Sequence, residues 1–286
     1  MPGQEEELVN FYGVIVDASM PMKTATQKFV TTLKLIDPTV HSVGNEPNVN
    51  FEHATAIVYA KRIEDCPFIN NIGDIIRIHR ANYKLWKDRP QFNVNVQFNS
   101  SWCLFNTSQE SSRRMAGEDV EMHDHEAGTS TSYQPYKFSG KSYSQDLSFE
   151  KAILDNLRRW AVDYFSTNSV IHKSNYTPLK EVAKIAPEEG KEIDLLVKVL
   201  KVLEKDEQTL ELRIKDISQE MWFLTLPRLK FSNLINIKEG EILRIRSVTR
   251  DSTSKRNMIV AKNLTNVLKF MPQMQIVKDL QQLIQD

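Results

Sequence analysis

Gly73-Asp-Ile-Ile-Arg-Ile-His-Arg80 and Gly240-Glu-Ile-Leu-Arg-Ile-Arg-Ser247 are the two stretches whose reading decides the fold. Each opens on a glycine–acid pair, which favours a turn, and continues in alternation, the period of a strand. With register kept, Ile76 and Ile78 face away from Arg77, and Leu243 and Ile245 away from Arg244. Outward from these strands the same order of signals recurs. Upstream stand Leu33-Lys-Leu-Ile-Asp-Pro-Thr39 and Leu212-Arg-Ile-Lys-Asp-Ile-Ser218. Downstream stand Gln91-Phe-Asn-Val-Asn-Val-Gln-Phe98 and Arg256-Asn-Met-Ile-Val-Ala-Lys262. The order is an internal repeat: one strand-rich unit used twice.

Five or six short strands around a glycine-led central strand, in roughly 75–100 residues, suit an OB barrel. Another small β-barrel or sandwich fits the same periodicity. The expected architecture is all-β with connecting helices, two OB-fold barrels in tandem. Residues 8–106 form the first barrel, 107–148 a flexible loop or linker, 149–192 a connecting helical segment, and 193–286 the second barrel with a C-terminal helix. In the connecting helix, Phe149, Ile153, Leu157, Trp160 and Tyr164 share one face, with Ser148 as the N-cap. Near the C-terminus, Ile276, Leu280 and Leu283–Ile284 share one side of an amphipathic segment.

At 286 residues the chain can hold two domains, each with its own core. Its 37 Lys and Arg balance 37 Asp and Glu, which argues against wrapping duplex DNA by charge alone. Single strands need less charge, because stacking on aromatics contributes about 1–3 kcal/mol per base. Cys66 and Cys103 lack C-x-x-C spacing and read as buried thiols, which favours cytosol or nucleus. No apolar run approaches the roughly 20 residues of a membrane span, and the start, MPGQEEELVN, is acidic and polar. Walker A, G-x-G-x-x-G, H-E-x-x-H and G-x-S-x-G patterns are all missing. The expectation is therefore no catalysis, no metal and no cofactor. His123-Asp-His125-Glu126, the tightest histidine cluster, sits in polar linker and reads as a solvated loop.

The binding signal is basic residues interleaved with aromatics on strands. Between Arg77 and Phe98 the chain offers Arg80, Lys84, Lys87 and Arg89, with Tyr83, Trp86 and Phe92 among them. Cations neutralise phosphates, exposed rings accept unpaired bases, and Gln91, Asn93, Asn95 and Gln97 can meet base edges. Lys23, Lys28 and Phe29 form a second cluster. The second unit offers Trp222, Phe223, Lys230, Arg244, Arg246, Arg250 and Arg256, and Asp206–Glu207 in a turn. A turn carboxylate is either plain solvated surface or an acceptor for the N1–H and N2–H donors of an unstacked guanine.

Asn10-Phe-Tyr-Gly-Val-Ile-Val-Asp-Ala18, Tyr59-Ala-Lys-Arg-Ile-Glu-Asp65, Gly73 to Ala81, Ser100-Ser-Trp102, Leu157-Arg-Arg-Trp-Ala161 and Arg244-Ile-Arg-Ser247 together resemble the alpha subunit of ciliate telomere end-binding proteins. They are more distantly similar to the protection-of-telomeres proteins. The resemblance covers about residues 10–284. It implies OB barrels that cap the G-rich single-stranded 3′ overhang of chromosome ends in the nucleus, without catalysis. It places stacking positions at Trp86 and Phe98, a groove position at Gln91, an acidic turn at Asp206 and an aromatic position at Phe223. It names a beta-like telomere protein, or telomerase and replication components, as candidate protein partners. One departure stands out: where the family has an adjacent His-Tyr pair late in the second barrel, this chain has Asn263–Leu264. The competing readings are a general single-strand binder and a protein scaffold with weakened DNA binding.

Overall fold

The computed structural model describes residues 8–39, 53–87, 89–107, 133–140, 143–169, 171, 175–204, 206–231 and 236–284. The His123–Glu126 cluster and most of the 107–148 segment lie outside these residues. The chain divides into two compact units, residues 1–68 with 73–163, and residues 69–72 with 164–286.

The first unit contains β1 (Leu8–Ala18), β2 (Met22–Lys23), β3 (Phe29–Ile36), β4 (Ala54–Ala60), β5 (Ile75–Trp86), β6 (Arg89–Asn95), β7 (Ser101–Phe105) and β8 (Lys137–Phe138). The ladder runs β1–β3–β4–β6–β5, and β5 returns to β1, which closes a five-stranded barrel. Only the β4–β6 contact among these is parallel. Alternation sends Val14, Leu33, Ala56, Val58, Ile76, Ile78 and Val94 inward, all fully buried. Cys66 and Cys103 are buried free thiols.

Next come α1 (Leu147–Thr167) and α2 (Leu179–Val182), then β9 (Ile193–Glu204), β10 (Thr209–Lys215), β11 (Met221–Pro227), α3 (Arg228–Phe231), β12 (Ile242–Arg250), β13 (Met258–Lys269) and α4 (Gln275–Leu283). Strands β9–β10–β11–β13–β12 close a second barrel, again with one parallel contact, β11 to β13. Counted in chain order, both barrels follow 1-2-3-5-4. Both are OB folds.

The repeat extends to single atoms. Gly73 and Gly240 take positive φ of 100° and 84° and donate to Ile15 O (2.7 Å) and Val199 O (2.8 Å). Seven residues on, Arg80 and Ser247 share φ near 54° and 55°. Their N–H groups donate to Asn10 Oδ1 (2.8 Å) and Asp194 Oδ1 (3.0 Å), and their carbonyls accept from Ser100 Oγ and Thr265 Oγ1, both at 2.7 Å. A non-glycine residue there costs about 1–3 kcal/mol. Paired side chains fix it in both barrels and bend the central strand beside a bulge.

Alternation alone puts Arg77 and Arg244 on the outer face, yet both are buried. A second layer covers that face. Arg77 pairs with Glu150 of α1 and donates to Cys103 Sγ (3.2 Å), while Tyr12 OH donates to Glu150 Oε1 at 2.9 Å. Burial and the neighbouring carboxylate push the Tyr12 phenol well up. Arg244 meets Asp194 Oδ2 (3.4 Å) and Asn175 O (3.0 Å).

The α1 face also differs from the expected one. Glu150, Leu154, Leu157, Arg158, Ala161 and Phe165 are its buried residues, while Phe149 is 63% exposed. Apolar periodicity missed the stripe because two of its members are charged, Glu150 on Arg77 and Arg158 on Asn106 O (3.0 Å). Asp146, rather than Ser148, caps the helix: its Oδ1 accepts from Phe149 N and Ser148 Oγ. Residues 137–138 pair with β7 as a short strand inside the expected linker.

Candidate nucleic-acid interface

Ladder register defines one outer face on the first barrel, because residues opposed across a ladder project to the same side. Lys34, Thr55, Gln91 and Lys84 form one row across β3, β4, β6 and β5. Thr32, Ile57, Asn93 and Asn82 form the next, and Val30, Tyr59 and Asn95 a third. Beyond the first row the β5–β6 hairpin carries Trp86 opposite Arg89. Beyond the third row a short turn, Val96–Phe98, carries Phe98. From Arg89 to Asn95 the face runs about 20 Å at strand rise.

The two rings at its ends are the most exposed aromatics on this face, Trp86 at 58% and Phe98 at 67%. Each has a lysine over it. Lys84 Nζ lies 5.6 Å from the Trp86 centroid and Lys28 Nζ 5.8 Å from that of Phe98. Such a pair offers a π-face to a base and a positive charge to its phosphate. Gln91 is 8% exposed and donates from Nε2 to Asn93 Oδ1 at 3.1 Å, so its amide is held flat in the face. Lys23 is exposed on β2 opposite the half-buried Phe29. Exposed Arg80 turns its Nε to Asn99 O, next to Phe98. Thus Phe98, Lys28 and Arg80 gather toward one end of this face, and Trp86, Lys84, Arg89 and Gln91 toward the other, while Lys23 and Phe29, opposed to each other and out of phase with Val30, project to the other side of β3. Tyr83 and Phe92 pack on the opposite side of the hairpin, Phe92 with Phe11 at 4.2 Å.

The second barrel uses the same rows differently. Lys34 and Thr55 of the first barrel correspond to Arg213 and Phe223, and Gln91 to Met258. Half-buried Phe223 lies opposite Arg213, with the Arg256 guanidinium 5.4 Å from its centroid. Asp206 stands in the β9–β10 turn at the far end of the ladder, exposed, its Oδ1 accepting from Gln208 N at 2.9 Å. Phe223 and Asp206 are therefore not brought together. Other basic and aromatic residues of this barrel make contacts within the chain. Trp222 is fully buried under Arg250, whose Nη1 bonds Ala183 O and Ile185 O. Arg246 meets Asp194 at 3.4 Å. Lys230 Nζ donates to the carbonyls of Lys262, Asn263 and Thr265 at 2.7–3.0 Å, and burial lowers it to about 8.

Asn263–Leu264 occupies the counterpart of the turn that carries Phe98. In both barrels the pairing of the last strand is interrupted and resumes at a hydroxyl, Ser100 or Thr265, that accepts from the residue before the interruption. That break spans five positions in the first barrel, Asn95 to Ser100, and three in the second, Lys262 to Thr265. Sequence reading missed Lys61 and Arg62, which line a cleft beside Phe98 together with Gln97, read there as a base-edge candidate. The adjacent basic pair just past β4 was the available signal.

A family model described as telomeric single-stranded DNA binding POT1/CDC13 matches residues 1–171. The chain belongs to this family. A second model, the telomere end-binding protein alpha subunit OB2 domain, matches residues 181–282. Among curated relatives, the telomere-binding protein subunit alpha of Stylonychia mytilus is 37% identical over 282 residues, 98% of this chain and 54% of that protein. The same subunit of Sterkiella nova is 37% identical over 279 residues, 97% of this chain and 53% of that protein. The chain thus spans about half the length of these relatives. A solved structure of fission yeast Pot1 with single-stranded DNA covers 96% of this chain and 87% of its own, at 15% identity and a TM-score of 0.36. That likeness adds nothing to the topology described above.

Proposed function

We propose that the chain binds the G-rich single strand of the telomeric 3′ overhang and caps it in the nucleus, without catalysis. The observation that carries this reading is the pair of exposed rings, Trp86 and Phe98, each beneath a lysine, at the two ends of one polar face. Bases stack on the rings, Lys84, Arg89, Lys28, Lys23 and Arg80 meet phosphates, and Gln91 meets a base edge. Exposed Asp206 accepts the Watson–Crick donors of a guanine and biases the choice of base; Phe223 stacks a further base under Arg256. Family membership supports the single-strand target. A beta-like telomere protein, or telomerase and replication components, are the protein partners consistent with the relatives' description as subunits.

A fluorescence titration tests this. The reading expects much tighter binding to a repeated TTTTGGGG strand than to a mixed strand of equal length. Equal affinities would leave a general single-strand binder. The absence of an aromatic at Asn263–Leu264 favours a second reading, a scaffold with weakened DNA binding; no binding to either strand at low salt would select it.

A further inference from the structure

Neither aromatic uses the cleft between the end of β4 and the Val96–Phe98 turn. Lys61, Arg62, Asp65, Val96 and Gln97 line it, with a volume of about 300 Å³. Gln97 Nε2 is shielded from solvent and has no hydrogen-bond partner among the described residues. A shielded donor without an acceptor is costly, so the Gln97 amide gains by turning toward an acceptor in the cleft. Arg62 donates through Nε and Nη2 to both oxygens of Asp65, at 2.9 and 2.8 Å, which holds the guanidinium side-on and neutralises the carboxylate. Exposed Lys61 then leaves the cleft net positive.

The second barrel shows the alternative. Arg62 lies seven residues after Thr55, and Lys230 seven after its counterpart Phe223. Lys230 is folded onto its own backbone, the carbonyls of the Lys262–Thr265 break. The first barrel instead ties the equivalent cation to Asp65, and the space beside Gln97 stays unfilled by the described residues. Gln97 is the sequence neighbour of Phe98.

We propose that this cleft is a phosphate subsite. It takes the backbone phosphate adjoining the base stacked on Phe98, with charge from Lys61 and Arg62 and a hydrogen bond from Gln97 Nε2. It rests on the reading that Phe98 stacks a base.

A methylphosphonate scan tests it. Single neutral linkages are placed in turn along a TTTTGGGG-repeat strand, and wild type is compared with Lys61→Gln/Arg62→Gln, Gln97→Leu, Asp65→Asn and Phe98→Ala, each checked by thermal melting. One linkage should weaken wild type yet leave the double variant unaffected. The salt slope of the double variant should fall by about 0.7, the share of one phosphate on a single strand. Gln97→Leu should weaken binding at that same linkage with its slope unchanged. Asp65→Asn should strengthen binding by raising the charge of the cleft. Arg62→Lys should keep the slope, which separates charge from fold. If no linkage distinguishes the double variant from wild type, or its slope is unchanged, the subsite is overturned while sensitivity to Phe98→Ala still supports the parent reading. If wild type binds no single strand, both fall together.

Discussion

Phe98→Ala separates binding from folding more cleanly than any other change on this face. The ring is 67% exposed, so a third of the roughly 150–250 Å² of an aromatic side chain is buried in the free protein. At about 25 cal/mol/Å² that is an upper bound of roughly 1–2 kcal/mol on folding. In the complex a stacked base contributes about 1–3 kcal/mol, a loss of roughly 5- to 150-fold in affinity on truncation. Lys28 sits over the ring and is untouched by the change, so the salt slope should stay put. Fluorescence anisotropy at several salt concentrations reads affinity and slope together, and a thermal melt confirms the fold. A folded variant that binds within twofold of wild type would refute stacking at Phe98. A changed slope would show that the lysine had been displaced and that the two contributions were misassigned.

Leu264→Tyr restores a ring at the counterpart position and should tighten single-strand binding by about 1–3 kcal/mol if the second barrel receives a base there; an unchanged titration curve would argue that its path lies elsewhere. Arg77→Met alone should destabilise the fold by about 3–5 kcal/mol by leaving Glu150 buried and unpaired, whereas Arg77→Met with Glu150→Leu should recover much of it; equal denaturant midpoints for the two variants would contradict the pairing. Burial lowers the Lys230 ammonium to about 8 even though three carbonyls accept from it. An unfolded lysine titrates at about 10.4. Between these values the unfolded chain binds more protons, so the residue's contribution to stability rises with pH across that window. Melting temperature of wild type should therefore gain on that of Lys230→Met from pH 8 upward, and parallel curves would refute the shift.

Strand alternation and the two glycine turns made both barrels legible, because Gly73 and Gly240 need a backbone conformation that few other residues tolerate. The rings at Trp86 and Phe98 were legible as interface candidates through their basic neighbours. The fate of the arginines was not. Arg77 and Arg244 look like outward charges on a strand, and only partners 73 and 50 positions away, Glu150 and Asp194, allow them to be buried. The α1 stripe was hidden for the same reason, since its polar members are satisfied by tertiary contacts that no local pattern records. The cleft beside Phe98 was illegible because it depends on how the last strand breaks, five positions in one barrel and three in the other.

The docking of α1 also bears on when the first barrel can be finished. Glu150 reaches Arg77 across 73 positions and Tyr12 across 138, while the resumed last strand of the first barrel ends at Phe105. Contacts this distant in sequence carry a loop-closure cost and form late. During synthesis the barrel strands emerge well before the residue that neutralises the Arg77 guanidinium. For that interval β5 carries an uncompensated cation on the outer face that α1 later covers. The first barrel is therefore completed only when α1 docks onto β5 and β1.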